Sequence, residues 1–187
     1  MLVSIVIPCY NSEKSIRRVV EMTYEVLGKK IPEYDLEFVL IDDCSKDGTW
    51  AEIQRLACDY SFVHGVTLMR NFGQHNGIMC GLNIARGDYI MGMDDDMQTH
   101  PSQIPLIIDK MEEGYDVVYG VYPESTNGTV KNITSWLNRY SAQKMLNRPK
   151  GIRTSNFWMI KKCIRDEVVK YTNYNPYVDA LFSRMTN

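Results

Sequence analysis

The fold of this chain is decided by the stretch Tyr89-Ile90-Met91-Gly92-Met93-Asp94-Asp95-Asp96, in which an apolar run ends directly in three carboxylates. A short apolar run of this kind is typical of a strand that is buried on both faces of a sheet. Similar runs occur at Ser4 to Ile7, Leu36 to Ile41, Val63 to Met69 and Val117 to Val121. Because longer segments of helical period separate these runs, we predict an α/β fold with a mostly parallel central sheet flanked by helices.

The segments between the first strands carry apolar residues at helical spacing. Ser15 to Leu27 and Trp50 to Ala57 are therefore predicted to form amphipathic crossover helices. Thr49, with Glu52 three residues later, has the pattern of a capping box, so we expect it to cap the second of these helices.

Small residues recur every four positions at Gly73, Gly77 and Gly81, which predicts one helix face that packs closely on the sheet. A further helix is expected from Pro101 to Glu113. No closing element is apparent at the end of the chain, so we expect it to be truncated there. The remaining predictions are a helix at Val130 to Leu146, a strand at Phe157 to Ile160 and a helix at Lys162 to Tyr171.

Composition excludes several classes of protein. The 187 residues suit a single domain, and a net charge of -2 without a long Lys/Arg tract argues against a nucleic acid partner. Five widely spaced cysteines without a CxxC pair disfavour a disulfide framework and a zinc site, which fits a reducing cytosol. No apolar run approaches the roughly 20 residues that a membrane helix needs.

Polar residues follow three of the predicted strands, at the positions where open α/β sheets bind ligands. They are Pro8 to Asn11, Asp42-Asp43 and Asp94-Asp95-Asp96, and we expect them to meet in one crevice. The three consecutive carboxylates at residues 94–96 repel one another, because two unit charges about 4 Å apart cost roughly 4 kcal/mol at an effective dielectric of 20. A hard cation such as Mg²⁺ or Mn²⁺ would relieve that repulsion.

The side chains of the acidic run are expected to point in alternating directions. In an extended backbone the side chains of Asp94 and Asp96 share one face and that of Asp95 takes the other. The outer pair, with Gln98 as a neutral oxygen ligand, is therefore the predicted metal site. The alternative for the acidic run is a solvated loop, and the alternative for Asp42-Asp43 is that the pair only builds a turn.

Other active-site patterns are absent from the sequence. There is no P-loop, no GxGxxG after a strand and no GxSxG elbow. His64, His75 and His100 form no HExxH motif, so they do not indicate a zinc site.

Five segments in a fixed order carry a resemblance to a known family: Ser4 to Asn11, Leu40 to Thr49, Arg70 to His75, Ala85 to Asp88 and Met93 to Pro101. Together they resemble the inverting family 2 glycosyltransferases of the GT-A fold. The resemblance is greatest to the bacterial polyprenyl-phosphate glycosyltransferases that are similar to dolichol-phosphate mannose synthase. It implies a single catalytic domain, with residues 1–121 binding a nucleotide sugar and residues 122–187 on the acceptor side.

The resemblance also implies roles for particular residues. Donor binding falls to the loop of Pro8, Tyr10 and Asn11, with the first two packing on the nucleotide. Asp43 would bond the base. Asp94 and Asp95 would address the donor, while Asp96, with Asp94 and Gln98, would hold Mg²⁺ or Mn²⁺. Acceptor-phosphate contacts are implied at Lys131, Ser135 and Arg139.

One segment departs from the family. Relatives often carry Gly-Asp-Phe-Arg near the reacting centre, whereas this chain reads Ser155-Asn156-Phe157-Trp158. Asn156 cannot take a proton, which either favours a lipid-phosphate acceptor or points to another acceptor with Asp179 as the base.

The implied activity is transfer of a sugar from a UDP- or GDP-linked donor to polyprenyl phosphate, in the cytoplasm and peripherally at the inner face of the membrane. Transfer to a sugar hydroxyl on a growing polysaccharide is an alternative within the same fold. A nucleotidyltransferase and an inactive nucleotide-binding module are alternatives of a different class.

Overall fold

The computed structural model describes residues 1–97, 100–121, 155–174 and 176–185. Its sheet has six strands in the order β3-β2-β1-β4-β6-β5. The first four strands run parallel, and β6 is antiparallel to both of its neighbours. The strands are β1 (Leu2–Cys9), β2 (Asp35–Asp42), β3 (Val63–Thr67), β4 (Tyr89–Gly92), β5 (Val117–Tyr119) and β6 (Trp158–Lys161).

Helices cover both faces of the sheet, which confirms the predicted α/β fold. One core lies between the sheet and α1, α2 and α4, and a second lies between the sheet and α3, α5 and α6. Among the described residues, none of the helices is both long and apolar enough to cross a bilayer. The helices are α1 (Ile16–Lys30), α2 (Thr49–Asp59), α3 (Gln74–Ile84), α4 (Ile104–Glu112), α5 (Lys162–Val168) and α6 (Val178–Met185).

The strand order places a crevice between β1 and β4. The connections through α1 and α2 carry the chain from β1 to β2 and on to β3, and α3 then returns it across the sheet to β4. The loops after β1 and β4 therefore leave in different directions, and ligands of open α/β sheets bind at such a switch point.

One prediction on secondary structure was wrong, and one helix was not predicted. Gly48, not Thr49, precedes the first turn of α2, and the Thr49 hydroxyl contacts Asp47 and accepts a hydrogen bond from the amide of Ser12 at 2.7 Å, so no capping box forms. The helix that was not predicted is α6, and the expectation that the chain is truncated stays a prediction. Helix α6 buries Phe182, whose ring packs edge-on against Trp158 with centroids 4.7 Å apart. The predicted helix at Val130 to Leu146 lies outside the described residues.

Two of the three spaced glycines bring α3 close to the sheet, as predicted. A Cβ atom on Gly77 would lie 3.3 Å from the Cβ of Pro8, and one on Gly81 would overlap the side chain of Val6. Gly73 has a different role, because it precedes the helix with a φ of 86°, a conformation that favours glycine.

The Gly81→Ala substitution should therefore destabilise the protein. Its methyl group would have to displace Val6 in a filled core, which costs about 1 to 3 kcal/mol. Gly28→Ala is the matched control in α1, because no atom lies within 4 Å of a Cβ there, and alanine is preferred to glycine within a helix. Urea denaturation should show a lower free energy of unfolding for Gly81→Ala alone. Equal stability of the two variants would contradict the close packing of α3.

The buried carboxylate of Glu37 links β2 to β1 and to the loop before β4, at the end of the strands opposite the crevice. Glu37 on β2 accepts hydrogen bonds from the hydroxyl of Ser4 and from the amide and Nε of Arg86, the latter two at 2.6 and 3.0 Å. Burial by itself raises the pKa of Glu37, but the hydrogen bonds from Ser4 and Arg86 outweigh it and hold the pKa below its ordinary value.

Because folding lowers the pKa of Glu37, its ionised form contributes stability above the pKa of the unfolded chain, near 4.3, and loses that contribution as the pH falls through the folded pKa. Glu37→Gln should therefore be less stable than the wild type at pH 7, and the difference should shrink below about pH 4. Denaturation curves across this range measure the effect. Exposed Glu25→Gln is the control and should change little. A difference that stayed constant down to pH 3 would rule out this role for the charge.

Candidate functional site

A cleft of about 510 Å³ lies at the carboxyl ends of β1, β2 and β4, within the size range of small-molecule sites. Several of the predicted site residues meet there, while Asn11 and Asp179 are not part of its lining. Gln98, Lys131, Ser135 and Arg139 lie outside the described residues. The cleft is lined by Pro8, Cys9, Tyr10, Asp43, Asn71, Gly73, Gln74, Asp94, Asp95, Asp96 and Asn156.

Asp94 is half-buried and held by two side-chain amides. Its Oδ1 accepts a hydrogen bond from Nε2 of Gln74 at 2.9 Å, and its Oδ2 accepts one from Nδ2 of Asn156 at 3.1 Å. Burial raises the pKa of the Asp94 carboxyl above its ordinary value, and the charges of Asp95 and Asp96 add to the increase. The hydrogen bonds from the two amides oppose that rise. The part of the rise that comes from Asp95 and Asp96 reflects a local excess of negative charge, which a bound cation would relieve.

Asp95 turns away from Asp94 toward the loop that follows β1. Its Oδ2 accepts a hydrogen bond from the amide of Tyr10 at 3.2 Å and contacts the hydroxyl of Ser12. Asp94 and Asp95 therefore have different hydrogen-bond partners, and the expectation that Asp94 and Asp96 share one face stays a prediction. Asp95 links the loops on the two sides of the switch point, and its predicted contact with the donor stays a prediction.

The two carboxylates after β2 face different environments. Asp43 lines the cleft, but its oxygens already accept hydrogen bonds from the amides of Phe72 and Gly73 at 2.7 and 2.8 Å. Asp42 is buried and accepts hydrogen bonds from the amide of Ser45 and the hydroxyl of Thr67. The expectation of five carboxylates in one crevice was therefore wrong for Asp42, because its side chain points toward β3.

Asn11 braces two loops at the rim of the cleft. Its side-chain oxygen accepts a hydrogen bond from the backbone amide of Lys46, and its backbone amide donates to the hydroxyl of Ser45, both at 3.0 Å. Asn11, Cys44 and Met97 have φ values of 56°, 58° and 63°. Such strained residues cluster at binding and active sites, and these three follow β1, β2 and β4.

Cys9 contributes a thiol to the lining of the cleft. Burial raises the pKa of this thiol well above its ordinary value, and the nearby charges of Asp95 and Asp42 add to that effect. The thiol is therefore neutral at physiological pH, and the site does not contain an activated cysteine nucleophile at this position.

Sequence reasoning assigned no role in ligand binding to three residues of the lining: Asn71, Gly73 and Gln74. They follow β3, so the topological rule that selected the loops after β1, β2 and β4 would have selected this one as well. The strand was predicted to extend to Met69, whereas β3 ends at Thr67, so the loop after it begins two residues earlier than predicted.

The two candidate residues of the acceptor side are in different places. Asn156 lies in the cleft opposite Asp94. Asp179 lies on α6 and faces His75, whose ring packs edge-on against Tyr177 with centroids 4.9 Å apart. Burial lowers the pKa of His75, and the charge of Asp179 opposes that shift.

The oxygen ligands of the cleft suit a hard divalent cation. Asp94 and Asp96 are carboxylates that line it. Burial is the main cause of the raised pKa of Asp94, and the charges of Asp96 and Asp95 add to it; a cation would balance those charges. Among the residues that the structure describes, no three His, Cys, Asp or Glu side chains converge on one point. Magnesium is commonly held by one or two carboxylates together with substrate phosphates, and the pair fits that pattern.

Comparison with known proteins adds a family and a fold. The family model described as "Glycosyl transferase family 2" matches residues 4–169. The curated undecaprenyl-phosphate 4-deoxy-4-formamido-L-arabinose transferase of Shewanella sediminis is 38% identical over 174 residues, which are 90% of this chain and 49% of that protein. The enzyme of the same name from Proteus mirabilis is 38% identical over 148 residues, 78% of this chain and 42% of the relative. The chain spans about half the length of these relatives.

Solved structures share the fold. Glucosyl-3-phosphoglycerate synthase from Mycobacterium tuberculosis, in complex with Mn²⁺, uridine diphosphate and phosphoglyceric acid, superposes with a TM-score of 0.64 at 19% identity. The match covers 87% of this chain and 56% of that one. The fold is accordingly the GT-A fold expected from the sequence.

The Asp43→Ala substitution should release the loop before α3. Hydrogen bonds to a charged group contribute about 1.5 to 3 kcal/mol, so the amides of Phe72 and Gly73 should exchange hydrogen with solvent at least roughly tenfold faster. Asp47→Ala is the matched control, because Asp47 accepts from the amide of Thr49 in the neighbouring loop and should affect exchange there instead. Unchanged exchange at residues 72 and 73 would show that Asp43 does not hold this loop.

Proposed function

The chain belongs to glycosyl transferase family 2, and from that membership we propose that it transfers a sugar, with inversion, from a nucleoside-diphosphate donor to polyprenyl phosphate. The observation that carries the proposal is the acidic cleft at the switch point between β1 and β4, in a chain whose curated relatives are named undecaprenyl-phosphate sugar transferases.

Donor binding is assigned to the β1, β2 and β4 sides of the cleft. Pro8 and exposed Tyr10 offer an apolar edge and an aromatic ring on which a nucleotide can pack. Asp43 retains lone pairs beyond the two hydrogen bonds it already accepts, so a contact with the base remains open to it. Asp94 and Asp95 line the same cleft, where the sugar diphosphate would reach them.

Asp94 and Asp96 are the residues that would hold Mg²⁺ or Mn²⁺, with Gln98 as a predicted third oxygen ligand. When bound, the ion supplies Lewis acidity that neutralises charge developing on the nucleoside diphosphate. The protein's own part is to keep these carboxylates oriented, which the amides of Gln74 and Asn156 do for Asp94.

The acceptor is assigned from chemistry and from the relatives. A phosphate oxygen is already an anionic nucleophile, so it can attack the anomeric carbon without a base while the bond to the donor diphosphate breaks. Asn156, at the position that would face such an acceptor, is neutral and neither removes a proton nor repels an anion. Because polyprenyl phosphate lies in the bilayer, we place the reaction at the inner face of the membrane, with peripheral contact of the chain.

Nucleotide binding is the first test. UDP and GDP, each with and without Mn²⁺, should be compared in a thermal-shift series, because a ligand that binds the native state raises the melting temperature. We expect a nucleoside diphosphate to stabilise the wild type in a manner that depends on Mn²⁺. The Asp96→Ala variant should lose most of that shift, whereas Asp109→Ala on the exposed surface of α4 should retain it.

The products distinguish the reaction classes. A glycosyltransferase should release a nucleoside diphosphate from a nucleotide sugar when undecaprenyl phosphate is added, and a nucleotidyltransferase should release pyrophosphate from a nucleoside triphosphate.

Transfer to a sugar hydroxyl should depend steeply on a carboxylate base, so Asp179→Asn would abolish it and would spare transfer to phosphate. If no nucleotide stabilised the wild type with or without metal, the proposed function would be wrong.

A further inference from the structure

We propose that Gln74 and Asn156 form a neutral clamp that positions the Asp94 carboxylate for the metal-bound diphosphate of the donor. The inference rests on the proposed function, since it assigns roles within the same cleft. Both amides are positioning residues, because they act on Asp94 and not on the reacting atoms.

The Gln74 arm of the clamp is fixed by the start of α3. Gly73 precedes the helix with its φ of 86°, and its amide is bonded to the Asp43 carboxylate at 2.8 Å. Gln74 is thereby the first helical residue and lies at the cleft, with its Nε2 at 2.9 Å from Oδ1 of Asp94. An ionised carboxylate only accepts hydrogen bonds, so the amide nitrogen is the atom that must face it.

The Asn156 arm is fixed by the register of β6 on β4. The antiparallel pairing of Gly92 with Trp158, continued by two residues on each strand, places Asn156 opposite Asp94. The hydroxyl of Ser155 holds this backbone, because it donates to the carbonyl of Gly120 at 2.6 Å and accepts from the amide of Phe157 at 3.2 Å. Nδ2 of Asn156 then lies 3.1 Å from Oδ2 of Asp94.

The chemistry of the clamp explains why both arms are amides. Each carboxylate oxygen can accept two hydrogen bonds, so one amide on each oxygen leaves a further lone pair on both. An amide orients Asp94 without cancelling its charge, as a lysine or arginine would. A carboxylate at position 156 would instead repel Asp94, since like charges at this distance cost several kcal/mol at low effective dielectric.

Affinity for a nucleoside diphosphate tests the clamp in the full chain. Isothermal titration with UDP, and in parallel with GDP, is carried out in the presence of Mn²⁺. Gln74→Ala and Asn156→Ala should each weaken binding roughly 10- to 100-fold, the usual effect of removing a residue that orients a metal ligand. Asn156→Asp keeps the shape and loses the donor, so it should bind at least as weakly as Asn156→Ala. Tighter binding by Asn156→Asp would show that position 156 contacts the metal itself.

Asn83→Ala is the matched control for loss of an amide. Asn83 also lies on α3, but its Nδ2 donates to the carbonyl of Met79, away from the cleft. It should bind the nucleotide as the wild type does. Melting curves without ligand complete the control, because Gln74→Ala and Asn156→Ala should unfold within a few degrees of the wild type.

A double-mutant cycle separates positioning from direct contact. If the amides act through Asp94, then in an Asp94→Ala background each amide substitution should change the affinity less than twofold. A further tenfold loss in that background would overturn the clamp and give the amide a direct contact with the ligand. Wild-type binding that is unchanged in Gln74→Ala and Asn156→Ala would overturn the clamp alone. Failure of the wild type to bind either nucleotide would overturn the proposed function together with it.

Discussion

The close approach of α3 to the sheet is the constraint on which the cleft depends. Gly77 and Gly81 have no side chain beyond Cα, so the helix rests directly on β1 and β2. The position of its first turn is thereby set. Gln74 reaches Asp94, and the backbone just before the helix reaches Asp43. A helix held farther from the sheet by larger side chains would move its first turn out of hydrogen-bonding range of both carboxylates.

Much of the fold could be predicted because its signals are local. The strands β1, β2 and β4 are short apolar runs that end in polar residues, and each pattern can be recognised within about ten residues. The place of β6 between β4 and β5 could not be predicted in this way, because it depends on pairing with residues far away in the chain. The predicted cap of α2 failed for a related reason. The Thr49 hydroxyl is engaged by Ser12, which belongs to another loop.

The site was predictable in position but less so in detail. The rule that ligands bind beyond the strand ends predicted that Asp43 and the acidic run would meet in one cleft, and they do; their binding roles stay predictions. The direction of each carboxylate was decided by partners elsewhere in the chain. Asp94 is held by Gln74 and Asn156, which are 20 and 62 residues away, and no local pattern indicates either contact. The direction of the Asp42 side chain could not be predicted for the same reason, because it accepts a hydrogen bond from the hydroxyl of Thr67 on β3.

The antiparallel strand β6 has a further consequence for how the molecule is assembled. Within the described part of the sheet, β5 is hydrogen-bonded only to β6, and β6 alone connects it to β4. Residues 117–119 therefore cannot join the sheet until residues 158–161 have been synthesised. During translation β4 would present an open edge, and completion of the sheet would require a contact of high sequence separation, which slows folding. The segment that ends with β5 and the segment that contains β6 therefore depend on each other, because the described sheet is complete only when both are in place.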